Sequence, residues 1–251
     1  MNTINSSDTT IKQMALSAST SDNDIFAEYT CISGNQPCTN NNWVGIWEGT
    51  LINWDFPPLN SVRIQNNNPT NSILVYANRA PNMNYVIGYG TGCLPNESET
   101  LKEEEEKSDT KKSESTRGKV IPKPTPKINQ GTVGATVQVN VDGSMGTTSL
   151  TQVNALSVGN NMLLLSYQTP IGNIPSQNQN WIGIWPGYTV SFNGRNCLHR
   201  ELVRSEFNSG QICVNSFAFT ISTTYTVSYA TGPSNSDIVA TVTFTTLGYG
   251  S

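Results

Sequence analysis

The sequence predicts an all-β protein built from two tandem β-sandwich domains. Three observations lead to this prediction. A motif with two tryptophans around a glycine occurs twice, a tyrosine-rich strand occurs twice at nearly the same spacing, and no segment with plausible caps has helical periodicity. The chain has 251 residues, so each copy is long enough to bury a hydrophobic core of its own.

The internal duplication is clearest in these two motifs. The tryptophan motif is NWVGIWEG over residues 42–49 and NWIGIWPG over residues 180–187, an offset of 138. The tyrosine motif is YVIGYGTG over residues 85–92 and YTVSYATG over residues 225–232, an offset of 140. Because both pairs occur in the same order at nearly one offset, a whole sandwich unit has been copied.

Turn-type residues divide the rest of each copy into short strands. An upstream match of residues 15–17 with 155–157 extends the same register. In the first copy, strands are predicted over residues 12–17, 25–30, 61–64 and 73–77, in addition to the two motifs. In the second copy, the corresponding predictions are residues 152–158, 162–168, 188–192 and 211–221.

The final strand of the first copy is predicted to lie far from the rest of that copy. The second copy ends in an alternating strand over residues 238–246, and residues 135–141 resemble its part 240–246. The stretch 93–130 would then be an insertion of about 35 residues within the first domain. It holds eight acidic and eight basic side chains and several prolines, which predicts disorder.

The predicted domains are therefore residues 11–142 and 147–251, joined by a short linker. If the resemblance of the final strands is accidental, residues 93–130 are instead a long linker between the two domains.

Alternation along the strands allows two interpretations of the tryptophans. The isoleucine face of the tryptophan strand and the tyrosine face of its neighbour are predicted to form the core, which leaves the indoles over small residues on the outer face. The indoles could simply shield the sheet there. Alternatively, Trp47 and Trp185, with Trp54, form a ligand platform beside the amides of Asn42 and Asn180, and such a surface suits sugar rings.

The two motifs together resemble a known sandwich type. A strand with Trp-Ile-Gly-Ile-aromatic, followed about 40 residues later by Tyr-x-x-x-Tyr, is similar to the immunoglobulin-like sandwich of SKICH domains. It also resembles the N-terminal domain of purple acid phosphatases. Asn42 and Asn180 stand where those families have Asp. The resemblance implies two immunoglobulin-like domains in a non-catalytic, interaction role.

Charge and hydropathy argue against a nucleic-acid partner and against a membrane-spanning helix. Outside residues 93–130 the chain carries only ten acidic and six basic side chains, so the folded parts lack the basic surface that nucleic acids require. No run of 18 apolar residues predicts a membrane-spanning helix. No secretory signal is visible at the N-terminus, which leaves the compartment open, whether cytoplasmic or reached by export without such a signal.

Histidine and cysteine content argues against catalysis. His199 is the one histidine of the chain and has no counterpart in the first copy, so neither a multi-histidine metal site nor a duplicated activity can depend on it. The five cysteines are predicted to be reduced thiols, with Cys31 and Cys38 as the pair to test for a bridge. No catalytic residue, metal or cofactor is predicted.

The sequence thus predicts a non-enzymatic binding module. Each repeat would recognise a glycan or a protein surface through an aromatic and amide patch, and two repeats would add avidity. The alternative is a self-assembling structural protein, adhesin-like or toxin-like, because a weakly charged β-rich chain favours self-association through strand edges.

Overall fold

A computed structural model describes residues 2–3, 9–76, 79–92 and 132–247. The charged stretch predicted as an insertion lies outside the described residues. The strands are β1 (Asn2–Thr3), β2 (Thr10–Gln13), β3 (Ala15–Ser21), β4 (Asp24–Thr30), β5 (Trp43–Glu48), β6 (Asn60–Arg63), β7 (Thr70–Tyr76), β8 (Tyr85–Gly90), β9 (Val133–Val139), β10 (Met145–Leu150), β11 (Gln152–Val158), β12 (Leu163–Gln168), β13 (Trp181–Pro186), β14 (His199–Leu202), β15 (Ser209–Val214), β16 (Thr224–Ala230) and β17 (Ile238–Thr245).

Helical structure in the described part of the chain is a single turn over Asn235–Asp237. None of the helices there has the length and hydropathy that crossing a bilayer requires.

The strands form two sandwiches with the same topology. The first sandwich packs the sheet β3-β4-β7 against a sheet that contains β6-β5-β8-β9. The second sandwich packs the sheet β11-β12-β15 against a sheet that contains β14-β13-β16-β17. In each repeat the first, second and fifth strands share one sheet, and the fourth, third, sixth and seventh share the other. This antiparallel order is that of an immunoglobulin-like sandwich.

The predicted final strand of the first repeat is present. Strand β9 pairs antiparallel with β8 along its length, with Ile87 opposite Val137 and Tyr89 opposite Ala135. The corresponding pairing in the second repeat is that of β17 with β16. The chain therefore returns to the first sandwich after residues 93–130, as predicted for an insertion between the last two strands.

The strand that precedes each sandwich in the chain pairs with the other sandwich. Strand β2 precedes the first sandwich in the chain but pairs with β17, the last strand of the second. Strand β10 precedes the second sandwich but pairs with β9, the last strand of the first. The predicted boundaries placed residues 11–13 in the first domain and 147–150 in the second, and the sheets place them the other way round.

Each sandwich has its own apolar core, made as predicted from the isoleucine and tyrosine faces of the neighbouring strands. In the first sandwich, Ile46 and Ile87 are fully buried together with Tyr89. In the second, Ile184 and Tyr229 occupy the corresponding places. Full burial of such side chains contributes about 1.5–3 kcal/mol each, so the two faces account for much of the stability of each sandwich.

A tyrosine at the start of the sixth strand ties each core to the preceding loop. The hydroxyl of Tyr85 accepts a hydrogen bond from the backbone N–H of Ala80 at 2.9 Å. In the second sandwich the hydroxyl of Tyr225 accepts one from the N–H of Thr220 at 3.0 Å. Both contacts reach five residues back along the chain, which is the geometry of the tyrosine corner of immunoglobulin-like sandwiches.

The tryptophans lie over glycines on the outer face of each sheet, as the alternation predicts. A Cβ atom at Gly90 would lie 2.2 Å from Cε2 of Trp43, and one at Gly183 would lie 2.3 Å from Cζ3 of Trp185. These distances are far below van der Waals contact. The indoles can therefore lie flat on the sheet only because these positions lack side chains.

Four details of the strand prediction are wrong. Residues 12–17 do not form one strand, because Met14 separates β2 from β3, and the strand predicted over residues 211–221 ends at Val214 as β15. Residues 188–192 form a turn and an extended loop, and the fourth strand of the second sandwich is β14. The match of residues 15–17 with 155–157 is also displaced. Leu16 pairs with Tyr29 and Val153 pairs with Tyr167, so the structural offset in this strand is 137. A short serine-containing match is too unspecific to set a register, whereas the pairing with the tyrosine strand sets it.

We predict that Gly90→Ala destabilises the protein by about 1–3 kcal/mol, because the added methyl group overlaps the fully buried ring of Trp43. Urea denaturation measures the free energy of unfolding. Gly159→Ala is the control, since a Cβ there would lie 3.9 Å from its nearest neighbour. Its effect is expected to stay within about 0.5 kcal/mol. Equal effects of the two substitutions would contradict this packing.

Candidate functional site

The predicted platform of Trp47 and Trp185 does not reach solvent. Trp47 is 3% exposed and Trp185 is 1% exposed. The two indoles on each sheet, Trp43 with Trp47 and Trp181 with Trp185, form a tryptophan row. Ile52 packs on the row of the first sandwich. Val190 and Phe192 pack on the row of the second, together with Ile32 from the first repeat. This corrects the platform hypothesis, because the loop after the tryptophan strand covers the outer face of each sheet, and Ile32 of the first repeat adds to the cover of the second.

Asn42 and Asn180 are also fully buried and are held by contacts inside the protein. The side-chain amide of Asn42 donates to the hydroxyl of Tyr89 at 2.8 Å and to Oδ1 of Asn35 at 3.2 Å. Asn180 donates in the same way to the hydroxyl of Tyr229 at 3.1 Å and to a loop asparagine at 3.0 Å. These amides fasten the polar loop to the sheet, so they are not available to a ligand in the described arrangement.

Burial changes the ionisation of the groups around Asn42. Desolvation raises the pKa of the Tyr89 hydroxyl, and the neighbouring Cys31 thiol adds to the effect. Burial likewise raises the pKa of Cys31 to about 11, against the smaller effect of its hydrogen bond with Tyr89. Both groups are therefore neutral at physiological pH, and Cys31 is a poor nucleophile.

Trp54 is the remaining predicted site residue, and it lies at the contact between the two repeats. Its Nε1 donates to the carbonyl of Ile171 at 2.9 Å, and a Cβ at Gly172 would lie 2.3 Å from that Nε1. Phe192 is its counterpart at the offset of 138, and its ring lies over Gly34. Each repeat thus places an aromatic ring on a left-handed glycine in the polar loop of the other (φ +85° and +91°).

A cleft of about 370 Å³ opens beside Phe192, between the polar loop of the first repeat and the loop after β13. Its volume is within the range of small-molecule sites. All the lining side chains are uncharged, and most carry an amide or a hydroxyl group. The lining residues are Gly34, Gln36, Thr39, Asn40, Val190, Ser191, Phe192 and Asn193.

Local hydrogen bonds hold both walls of the cleft. On one wall, Asn40 donates through its side-chain amide to Oδ1 of Asn35 at 2.9 Å. On the other wall, Oδ1 of Asn193 accepts from the Ser191 hydroxyl and from the backbone N–H of Arg195 at 3.1 Å. Because each loop is fixed by its own contacts, the two walls meet with a defined spacing.

Hydrogen bonds between buried polar groups also join the two repeats. The hydroxyl of Thr91 donates to Oδ1 of Asp237 at 2.9 Å, from one repeat to the other. The hydroxyl of Thr231 donates in the opposite direction to the carbonyl of Thr132 at 3.1 Å. Burial raises the pKa of Asp237, while hydrogen bonds from the Ser234 N–H, Thr91 and Ser236 act against that shift.

The groups around His199 do not form a nucleophile relay. Its Nε2 lies 3.4 Å from Oε2 of Glu201 and 3.5 Å from the hydroxyl of Ser216. A serine–histidine–acid triad needs the two partners on different ring nitrogens, and here both face the same one. In the described part of the chain, no group of three or more His, Cys, Asp or Glu side chains is placed to hold a metal.

Cys31 and Cys38, named above as the pair to test for a bridge, are not bridged. Cys31 is buried as a free thiol, and Cys38 is a half-buried free thiol in the polar loop. The two other described cysteines, Cys197 and Cys213, are also free.

The cleft residues were not found by sequence reasoning. Phe192 lies outside the two repeated motifs, so it is far less conspicuous than the tryptophans. A signal was nevertheless present, because Phe192 aligns with Trp54 at the offset of the tryptophan motif. An aromatic that recurs outside the core strands indicates a shared role, here the contact between the repeats.

We predict that Asp237 makes stability fall as the pH rises. Its pKa in the folded state is raised above the ordinary value of about 3.9. The folded state therefore holds this proton more tightly, and the stabilisation present below the ordinary pKa is lost as the pH rises through the raised value. Urea denaturation between acidic and neutral pH is expected to show this loss in the natural chain relative to Asp237→Asn.

Asp142→Asn is the matched control, because the pKa of Asp142 is shifted in the opposite direction and its effect on stability has the opposite pH dependence. Hydrogen bonds from Ser144 lower the pKa of this exposed carboxyl group, so its contribution is lost as the pH falls. If the natural chain and Asp237→Asn show the same pH dependence, Asp237 does not have the buried position described.

Comparison with known proteins finds little likeness in sequence. No protein-family model matches the chain, and no curated protein matches it. Among solved structures, the crystal structure of chicken CNTN1 FN1-FN3 domains matches with a TM-score of 0.26 and 10% sequence identity, covering 94% of this chain and 67% of that chain. The general immunoglobulin-like sandwich is thus established by the strand order, and the likeness to SKICH domains and phosphatase modules stays a resemblance of motifs.

Proposed function

We propose that the protein is a non-enzymatic binding module that holds a neutral glycan in the cleft between its two repeats. The observation that carries the proposal is the uncharged lining of that cleft, in which an aromatic ring lies beside several amide and hydroxyl groups. A sugar ring has apolar C–H faces and a rim of hydroxyls, and it needs both kinds of partner.

The roles of the lining groups follow from their chemistry. The half-buried ring of Phe192 offers an apolar face for the C–H groups of a sugar. Gln36 and Asn40 on one wall, with Asn193 on the other, provide amides that can both donate and accept hydrogen bonds. The absence of charge in the lining disfavours phosphorylated or acidic sugars, which would lose their hydration without gaining a cation.

Trp54 marks a second candidate contact in the other repeat. Its indole is half-buried over Gly172, at the place that corresponds to Phe192 over Gly34. Because its Nε1 already donates to Ile171, Trp54 would contribute its ring face and no hydrogen bond to a ligand. Two such contacts in one chain would raise avidity without any new interaction.

Recognition of a protein surface and edge-to-edge assembly are weaker candidates. The long last strands β9 and β17 would offer open edges, but β10 and β2 cover them. At the opposite edges of the two five-stranded sheets, β6 and β14 are only four residues long, and short edges limit strand pairing with another chain.

A glycan array of neutral sugars, followed by calorimetric titration of the best ligand, tests the proposal. Phe192→Leu keeps an apolar side chain over Gly34 but removes the ring. An aromatic contact is worth about 0.5–1.5 kcal/mol, so the affinity is expected to fall by about twofold to tenfold.

Tyr188→Leu is the matched control, because Tyr188 is 71% exposed on the same loop and does not line the cleft. Its affinity should equal that of the natural chain. Lack of binding to every neutral glycan, or equal losses in both variants while both remain folded, would refute the proposal.

A further inference from the structure

The chain passes between the two sandwiches through single residues. Met14 alone separates β2 on the second sandwich from β3 on the first, and Thr151 alone separates β10 on the first from β11 on the second. The N–H of Thr151 donates to the carbonyl of Gly134 at 2.9 Å, and the N–H of Met14 donates to that of Val239 at 3.1 Å. Met14 and Thr151 therefore occupy equivalent positions, each directly before the first strand of a repeat and each hydrogen-bonded to the last strand of the other repeat.

The described contacts between the sandwiches join residues before Thr151 with residues after it. Strand β2 pairs with β17 through four consecutive residues. The hydroxyl of Thr91 donates a hydrogen bond to Asp237, and Nε1 of Trp54 donates one to the carbonyl of Ile171. Each of these contacts requires only that residues 1–150 meet residues 152–251. The two segments do not have to belong to the same copy of the chain.

We propose that this surface also binds a second copy of the same chain by reciprocal exchange. In the exchanged dimer, residues 152–251 of each copy dock on residues 1–150 of the other, and Thr151 is the hinge. The dimer makes the same contacts twice, so the balance with the monomer depends on hinge strain and on protein concentration. A one-residue hinge favours exchange because it leaves the chain little freedom to turn back on its own partner segment.

The test refolds the full chain from urea at protein concentrations from micromolar to millimolar. All samples are then diluted to one concentration and analysed by sedimentation velocity. The dimer fraction is expected to rise with the refolding concentration and to persist after dilution, because separation requires the sandwiches to part. Monomer at every concentration, or a dimer that dissociates immediately on dilution, would overturn the proposal.

Hinge length distinguishes exchange from other modes of association. A Gly-Ser-Gly-Ser insertion after Thr151 relieves the short connection and is expected to lower the dimer fraction at least about fivefold. The same insertion between Asp142 and Gly143 is the control, since this turn joins β9 to β10 within one sheet. Equal responses to the two insertions would contradict a hinge at Thr151.

Cross-linking shows whether the contacts are made between chains. Lys12 lies opposite Thr241 in the pairing of β2 with β17. Chains with Lys12→Cys and chains with Thr241→Cys are refolded together and treated with a short thiol cross-linker, with the natural chain as the control for its five cysteines. Exchange predicts a cross-linked product of twice the chain mass that the natural chain does not give. Its absence from a dimer sample would rule out the exchanged arrangement.

Discussion

The close approach of the two last strands is the constraint on which the rest of the structure depends. A Cβ atom at Gly134 on β9 would lie 2.6 Å from Cγ1 of Val239 on β17, so the strands can touch only because residue 134 has no side chain. Val239 belongs to the second sandwich by sequence, yet it packs into the core of the first. Each last strand then receives a strand from the other repeat along its free edge. The two sandwiches are consequently parts of one interlocked unit.

This interlocking explains why the tryptophan rows are structural. A sandwich sheet normally exposes its outer face, and large aromatics there would be candidates for ligand contact. Here the loop after each tryptophan strand folds back over the indoles, and Ile32 and Ile238 join the cover of the second row from the junction. What remains for recognition is the rim of the junction, where polar loops from both repeats meet. The proposed function therefore belongs to the pair of repeats and not to either one alone.

The sequence predicted the elements that depend on local pattern. Period-two alternation and the duplication were sufficient for the core faces, the tryptophan–glycine packing and the assignment of residues 135–141 to the first sandwich. The destination of Thr10–Gln13 could not be predicted, because alternation indicates a strand but not the sheet edge on which it lies. The cleft could not be predicted for the same reason, since Asn40 and Phe192 are more than 150 residues apart and meet only through the contact between the repeats.

Differential scanning calorimetry tests the interlocked unit most directly. If the two sandwiches depend on each other for their edge strands and for the Gly134–Val239 contact, the full chain unfolds in one transition. The calorimetric enthalpy then equals the van't Hoff enthalpy. Two resolved transitions, each with about half of the total enthalpy, would show that the repeats fold independently and would contradict this account.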